Sequence, residues 1–420
     1  MIGPEPATPL RRHGWRSRHQ RRLFLLASGL STAGSFAGLT AKGWLLLQDS
    51  GSPLLLSLHF AALALPSLVF SGPAGVLTDR LGSEAVLIRA QWGLLAASGM
   101  GAVAIPLLAR WPAALMMALL LSTLLVGVAS SYELTARNKY CALLVERPEQ
   151  LAPYLASFSV VFNVGKLVGP PIGGGLVALA GVPIALALDA LSYLLPIATV
   201  LWLLQPDLSL ERRSGTGERT SLGAAWKESG PTLRHVLQFT ALASLVGFFH
   251  PGLAPLIAGH ILGPSPQNLG LFTSVLAAGS ITGGIALQRR SRWLVQRPVL
   301  LLGGSLLLTS WAQLGMAYAN QDGIRLAMSF LIGMGTASLL AGSNLVLQVG
   351  APMELRGRMA AMGQIAALGG GGLSGLLAAL LTMRVGLDQT FALMGISGMI
   401  LALVELLGRR GLRLRSDAHP

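Results

Sequence analysis

Two lysines and an aspartate fall inside long apolar stretches of this chain. An ionisable group in such a setting is costly and marks a functional position. Lys166, in FNVGKLVGPPIGGG, lies about 20 Å along its helix, too deep to reach either end of it. Phe162 and Asn163, four and three residues earlier, share its face. This lysine can attract an anionic substrate group, or it can pair with a carboxylate or with carbonyls freed by Pro170. Lys42 is about 9 Å from the end of its helix and can snorkel to the surface. Alternatively it forms part of a cationic outer vestibule. Asp189 can carry an exchanged proton, or it can bond Ser192 or a neighbouring helix. Glu133 precedes Arg137 by one turn, as Glu405 precedes Arg409. Both are in the favourable order for an ion pair, and Glu133 is a second candidate for proton coupling. His250, in FFHPG, sits where Pro251 and Pro255 must distort a helix. It can bind substrate, titrate near neutral pH or bond an adjacent helix. Gln313 and Asn344 have the character of hydrogen-bonding glue between helices.

Other chemistries lack their residues. No GxxxxGK[ST] phosphate loop, HExxH or GxSxG is present, so neither nucleotide-driven transport in cis nor those enzyme classes have support. One cysteine and seven scattered histidines give no metal-ligand spacing. No cofactor is expected.

These residues need membrane helices to position them. Of 420 residues, 52% are hydrophobic and 11% charged, whereas a soluble domain is about a quarter charged. A spanning helix needs about 20 apolar residues, because every backbone polar group must be satisfied within it. Twelve such stretches occur, near 23–48, 53–77, 84–108, 112–135, 153–179, 183–204, 235–260, 266–288, 297–318, 324–346, 357–382 and 388–408. The start of the first also has the shape of a signal peptide, but its apolar run continues to about Leu47, longer than an h-region. The fold class is all-α, an integral membrane protein of twelve transmembrane helices in two six-helix bundles.

The net charge of +14 is a topological label. Every basic residue except Lys42, Lys166, Arg110, Arg325 and Arg384 flanks the same side of the predicted spans. The positive-inside rule places that side in the cytoplasm. Both termini are then cytoplasmic and the protein is multi-pass in the inner (plasma) membrane. Membrane lipids, not nucleic acid, are the expected partners of this charge. The expected organisation is a basic tail 1–22, a six-helix bundle 23–204, a cytoplasmic linker 205–234, a second bundle 235–408 and a tail 409–420. Leu151 and Leu355 share one offset with Gly165 and Gly369, and Gly181 and Gly386 nearly share it. An offset close to half the chain suggests a parallel repeat.

Two motifs carry a family likeness. Between the second and third stretches lies GPAGVLTDRLGSEAVLIR, with Gly75, Asp79, Arg80 and Gly82 at its core. It resembles the signature loop GxLxDRxG of the major facilitator superfamily, except that Ser83 and Glu84 stand where that family carries two basic residues. Glycines there let helices approach and the chain turn. The resemblance implies that Asp79 locks the cytoplasmic side, with Arg137 or the start of the eleventh span near Arg358 as its partner. The fifth stretch contains Gly165, Gly169, Pro170, Gly173 and Gly174 and is similar to the GxxxGPxxGG motif of exporters in that superfamily. Small residues allow close helix packing, and proline bends the helix.

The segments 137–195 and 351–362 resemble the subfamily of the bacterial enterobactin exporter and macrolide efflux proteins. That likeness implies a monomeric secondary exporter of a small organic molecule working by alternating access, with the proton as coupling ion. Lys42 and Lys166 favour an anionic or amphiphilic metabolite such as a siderophore. Multidrug or macrolide efflux is the alternative substrate class. A non-transporting scaffold or receptor-like protein is the alternative of another kind.

Overall fold

A computed structural model describes residues 10–145, 150–204, 226–351 and 356–408. The described residues are helical throughout their ordered elements and contain no strand. Among the described residues, eleven helices are long and apolar enough to cross a membrane. Span one is His19–Ser50, two Pro53–Leu81, three Ser83–Leu108, four Pro112–Leu143, six Val182–Leu203 and seven Pro231–Leu262. Span eight is Pro266–Arg290, nine Pro298–Tyr318, ten Asp322–Gly350, eleven Met362–Val385 and twelve Leu387–Gly408. Span five is the helix Leu151–Ala180, apolar from Val164 to Ala180. The helix of span one already begins at Leu10, so part of the expected basic tail continues the span. Span seven begins ahead of the expected linker boundary, with Arg234 donating to the carbonyl of Trp226 at 2.9 Å. The rest of the expected linker, 205–225, and the tail 409–420 lie outside the described residues.

Short turns join the spans, and proline opens many of them, where its missing N–H costs nothing. Gly82 closes span two and opens span three at φ +88°, a conformation that a side chain would strain. Gly181, between spans five and six, and Gly386, between eleven and twelve, adopt φ +81° and +88°. The two positions linked by the sequence offset are thus the same turn used twice.

The helix pairings repeat as well. Span five packs on span one, and span eleven on span seven. Span three packs on spans four and six, and span nine on ten and twelve. Span five meets span eight, and span two meets span eleven, across the two halves. The apolar core runs through both halves, from Leu46 and Leu56 to Phe249, Phe272 and Phe391. Hydrophobic side chains such as Leu121, Trp202 and Val404 remain exposed, as a lipid-facing surface requires.

Three spans are interrupted, each beside proline. Span two turns at Leu65 before Pro66. Span six passes from Val182–Ser192 through Tyr193 and Pro196 into a wider-wound end at Thr199–Leu203. Span seven breaks at Phe248–Phe249, between Pro231–Gly247 and His250–Leu262. Only the last follows from the proline spacing singled out in the sequence.

Candidate functional site

The spans alternate in direction, so the helix ends form two faces. One carries Arg80, Arg89, Lys139, Arg234 and Arg297 and is called here the basic face. The halves approach each other toward the opposite face. Ser57 of span two donates to the carbonyl of Gly375 in span eleven at 2.8 Å. A Cβ on Gly174 would lie 2.7 Å from the Cα of Gly270 in span eight. Span two shows the asymmetry within one helix. Its segment Pro53–Ala64 lies along span eleven, whereas among the described residues Pro66–Leu81 touches it at few places, Leu68 against Gly369 being one.

Span five owes its position to the glycine motif. A Cβ on Gly165 would lie 2.9 Å from the Gly29 carbonyl oxygen, and one on Gly169 2.7 Å from that of Ala33. One on Gly173 would lie 2.9 Å from the Cα of Ala37. Three glycines thus seat the helix on span one, while Gly174 faces the other half. Pro170 stays within a helix that continues to Ala180. Lys166 lies at the border of these two faces, eight residues and about 12 Å from Gly174 toward the basic face. It is partly buried, and its Nζ is 5.7 Å from the centre of the Phe36 ring, within cation–π range. The alternative of pairing with a carboxylate is not seen among the described residues. The side chains of Phe162 and Asn163 lie outside those described.

Lys42 departs from expectation. It does not snorkel: it is 3% exposed, and its Nζ donates to Ser122 Oγ of span four at 2.8 Å. The physical reason is local. Gly101 leaves room for its stem, and the Ser122 hydroxyl accepts a hydrogen bond from its ammonium. Asp189 is likewise 3% exposed and accepts a hydrogen bond from Ser98 of span three. Ser192 donates to the Asp189 backbone carbonyl at 2.7 Å, not to its carboxylate. His59 completes this buried polar set and was missed in the sequence. Its Nε2 donates to the Leu39 carbonyl at 3.0 Å, and its Nδ1 meets Thr123 Oγ1 at 2.9 Å. A histidine inside the apolar run LLLSLHFAAL was signal enough.

At the basic face, Asp79 pairs with Lys139, not with Arg137. Residues two apart on a helix point to nearly opposite sides, so Lys139 faces the loop while Arg137 turns inward. Arg137 Nη1 meets Glu133 Oε1 at 3.1 Å, both residues buried, and its guanidinium lies 4.9 Å from the Phe158 ring centre. Gln91 donates to the same carboxylate at 3.4 Å. Arg80 is exposed. Gly75 does not mediate a helix approach, since a Cβ there would find nothing within 4 Å.

In the second half, both ring nitrogens of His250 are buried without a hydrogen-bond partner among the described residues. The ring packs against Phe249, and that of Phe391 in span twelve lies 6.3 Å away. Gln313 donates to the Val246 carbonyl at 3.3 Å, an acceptor freed by the break in span seven. Glu405 bonds His235 at 2.7 Å, and Arg409 lies outside the described residues. Among the described residues no three His, Cys, Asp or Glu side chains gather as a metal site would require.

Comparison with known proteins agrees with this architecture. The family model described as transmembrane secretion effector matches residues 8–419. The multidrug efflux pump Tap of Mycolicibacterium fortuitum is 27% identical over 393 residues, covering 91% of this chain and 95% of the pump. Tap of Mycobacterium tuberculosis (strain ATCC 25618 / H37Rv) is 24% identical over 401 residues, covering 91% and 92%. The crystal structure of a D-xylose–proton symporter superposes with a TM-score of 0.71 at 14% identity, covering 94% of this chain and 98% of that one. The fold is that of the major facilitator superfamily.

Proposed function

The chain belongs to the transmembrane secretion effector family, and on that premise we propose that it exports amphiphilic small molecules, drugs among them, in exchange for protons. It is a membrane transporter of the major facilitator type and not an enzyme. The observation that carries the substrate class is the alignment with pumps named for multidrug efflux over nine-tenths of the chain. In this reading the basic face is cytoplasmic, both termini lie there, and one chain in the plasma membrane is the working unit. The closer approach of the halves at the opposite face supports a state open to the cytoplasm, ready to load. Lys166, at the edge of the face that span five turns toward the other half, is the substrate-binding candidate, and His250 at the break in span seven is the second. Asp189 is the proton carrier in this reading and Glu133 the reserve.

An anionic metabolite such as a siderophore is the second reading. It rested on two lysines. Lys42 is engaged inside the first half, so Lys166 alone now favours an anion.

The test is expression in a bacterium stripped of its own efflux pumps. We expect higher inhibitory concentrations for several unrelated amphiphilic compounds and faster ethidium efflux, both lost when a protonophore collapses the pH gradient. Unchanged susceptibility to every compound would remove the multidrug reading. In the source strain, deletion that lowers a secreted siderophore under iron limitation would favour the second.

A further inference from the structure

Spans one, three, four and six enclose the polar cluster that holds Lys42 and Asp189. Lys42 rests on Ser122, which donates in turn to the carbonyl of Ala97 at 2.7 Å. Ser98, the next residue of span three, donates to Asp189 Oδ2. Consecutive residues of span three therefore reach both charges, Asp189 directly and Lys42 through Ser122. The other carboxylate oxygen, Oδ1, is buried and takes no hydrogen bond among the described residues.

Two glycines shape the space. Gly38, one turn before Lys42, lies against the carboxylate, so that a Cβ there would stand 2.6 Å from Asp189 Cγ. Gly101 leaves room for the lysine stem, at 3.1 Å from Lys42 Cε. Either side chain would divide the cluster. No direct ion pair joins Lys42 to Asp189, but span three reaches both, Asp189 through Ser98 and Lys42 through the Ser122 that bonds Ala97. Other ionisable and polar groups lie on the helices packed around this cluster and have partners of their own. Span six supplies Tyr193, whose hydroxyl lies beside the Asp189 carboxylate and meets Ser35 Oγ of span one at 2.8 Å. Span two supplies His59, tied to Leu39 and Thr123. Span four supplies Glu133, held by Arg137, and span five Lys166, over Phe36. Span six is itself interrupted just beyond Asp189. It can therefore shift against span one without breaking a continuous helix.

Resting on the reading of the chain as a proton-coupled exporter, we propose that Lys42 is the positioning residue for Asp189: an internal counter-charge that governs when the carboxylate takes and releases its proton, without touching substrate. The proton adds to the free Oδ1 from water on one side of the membrane and leaves to water on the other. When Asp189 is ionised, the two groups attract and draw spans one and six together. When it is protonated, that attraction is lost and Lys42 is left with its bond to Ser122.

The experiment uses the full chain in detergent and in liposomes. Lys42→Met, Asp189→Asn and the double variant are compared with the unaltered protein by melting temperature across pH 4–9. The same proteins are assayed for ethidium movement driven by a pH gradient. We expect Asp189→Asn to flatten one titration step in the melting profile. Lys42→Met should displace that step by about one pH unit or more, as loss of a nearby charge requires. The double variant, which strands neither member of this pair, should melt above either single one and give ethidium exchange that ignores the gradient. A step that Lys42→Met leaves in place, additive effects on melting, or gradient-driven transport by Asp189→Asn would each overturn the proposal. If the unaltered protein moves no ethidium, the efflux reading fails for that dye, while the melting profiles still decide whether Lys42 governs Asp189.

Discussion

Two ion pairs near the basic face show how differently the same residue types weigh. Arg137 and Glu133 are both buried, so removing the arginine strands a carboxylate in the helix bundle. Lys139 and Asp79 are each about two-fifths exposed, and water takes over when either is lost. We expect Arg137→Ala to cost about 3–5 kcal/mol and Lys139→Ala under about 1 kcal/mol, read as thermal or denaturant stability in detergent. Equal losses would contradict the assignment. The Glu133–Arg137 pair was legible because four residues make one helical turn. The partner of Asp79 was not, because the choice between Arg137 and Lys139 depends on how span four is rotated about its axis. Lys42 was misjudged for a related reason. Distance along a helix measures depth, and snorkelling also requires that nothing inside compete for the charge. Ser122 on span four and Asp189 on span six compete, and they are remote in sequence. His59 was a different kind of omission, since its residue type in an apolar run was visible and went unused.

At the level of elements, the spans were read well because a membrane leaves the backbone little choice. Length and hydropathy report a physical requirement directly. The interruptions at Pro66 and Pro196 were less visible, since a single proline in a helix can be absorbed or can break it, and neighbouring helices decide which. The glycine motif of span five was legible as close packing, but its division between two partners was not. Gly165, Gly169 and Gly173 face span one, whereas Gly174 meets Gly270 across the halves. This division yields a prediction. A methyl on Gly174 overpacks only the state in which the opposite face is closed. Overpacking of about 1–3 kcal/mol confined to one state shifts the balance by roughly 5–150-fold. In a Cys141→Ser background, Gly174→Ala should speed the labelling of a cysteine placed at Ser57, which here is buried against Gly375. Gly175→Ala is the control, because a Cβ there meets nothing within 4 Å. If both variants label alike, the contact with Gly270 does not hold that face shut.

For the whole molecule, the question is which way the charge asymmetry points. The surplus of +14 gathers at one set of helix ends, and translocation disfavours carrying such clusters across. We therefore expect the basic face to be cytoplasmic. Single cysteines in the Cys141→Ser background decide it with a membrane-impermeant maleimide on intact cells. Asp49→Cys and Gln321→Cys, exposed at the opposite face, should label from outside. Arg80→Cys and Gln296→Cys, exposed at the basic face, should label only after the cells are opened. The outcome also fixes the state of the transporter. The halves meet more closely at the opposite face, so a cytoplasmic basic face makes this the loading state of an exporter. The reverse orientation would make it the releasing state. In that case Gly174→Ala would favour loading instead of release, and the direction in which its effect on efflux runs would change sign with it. Topology and gating are thus one measurement here, because a single chain with one apposed face cannot be assigned a state until its faces are assigned to sides.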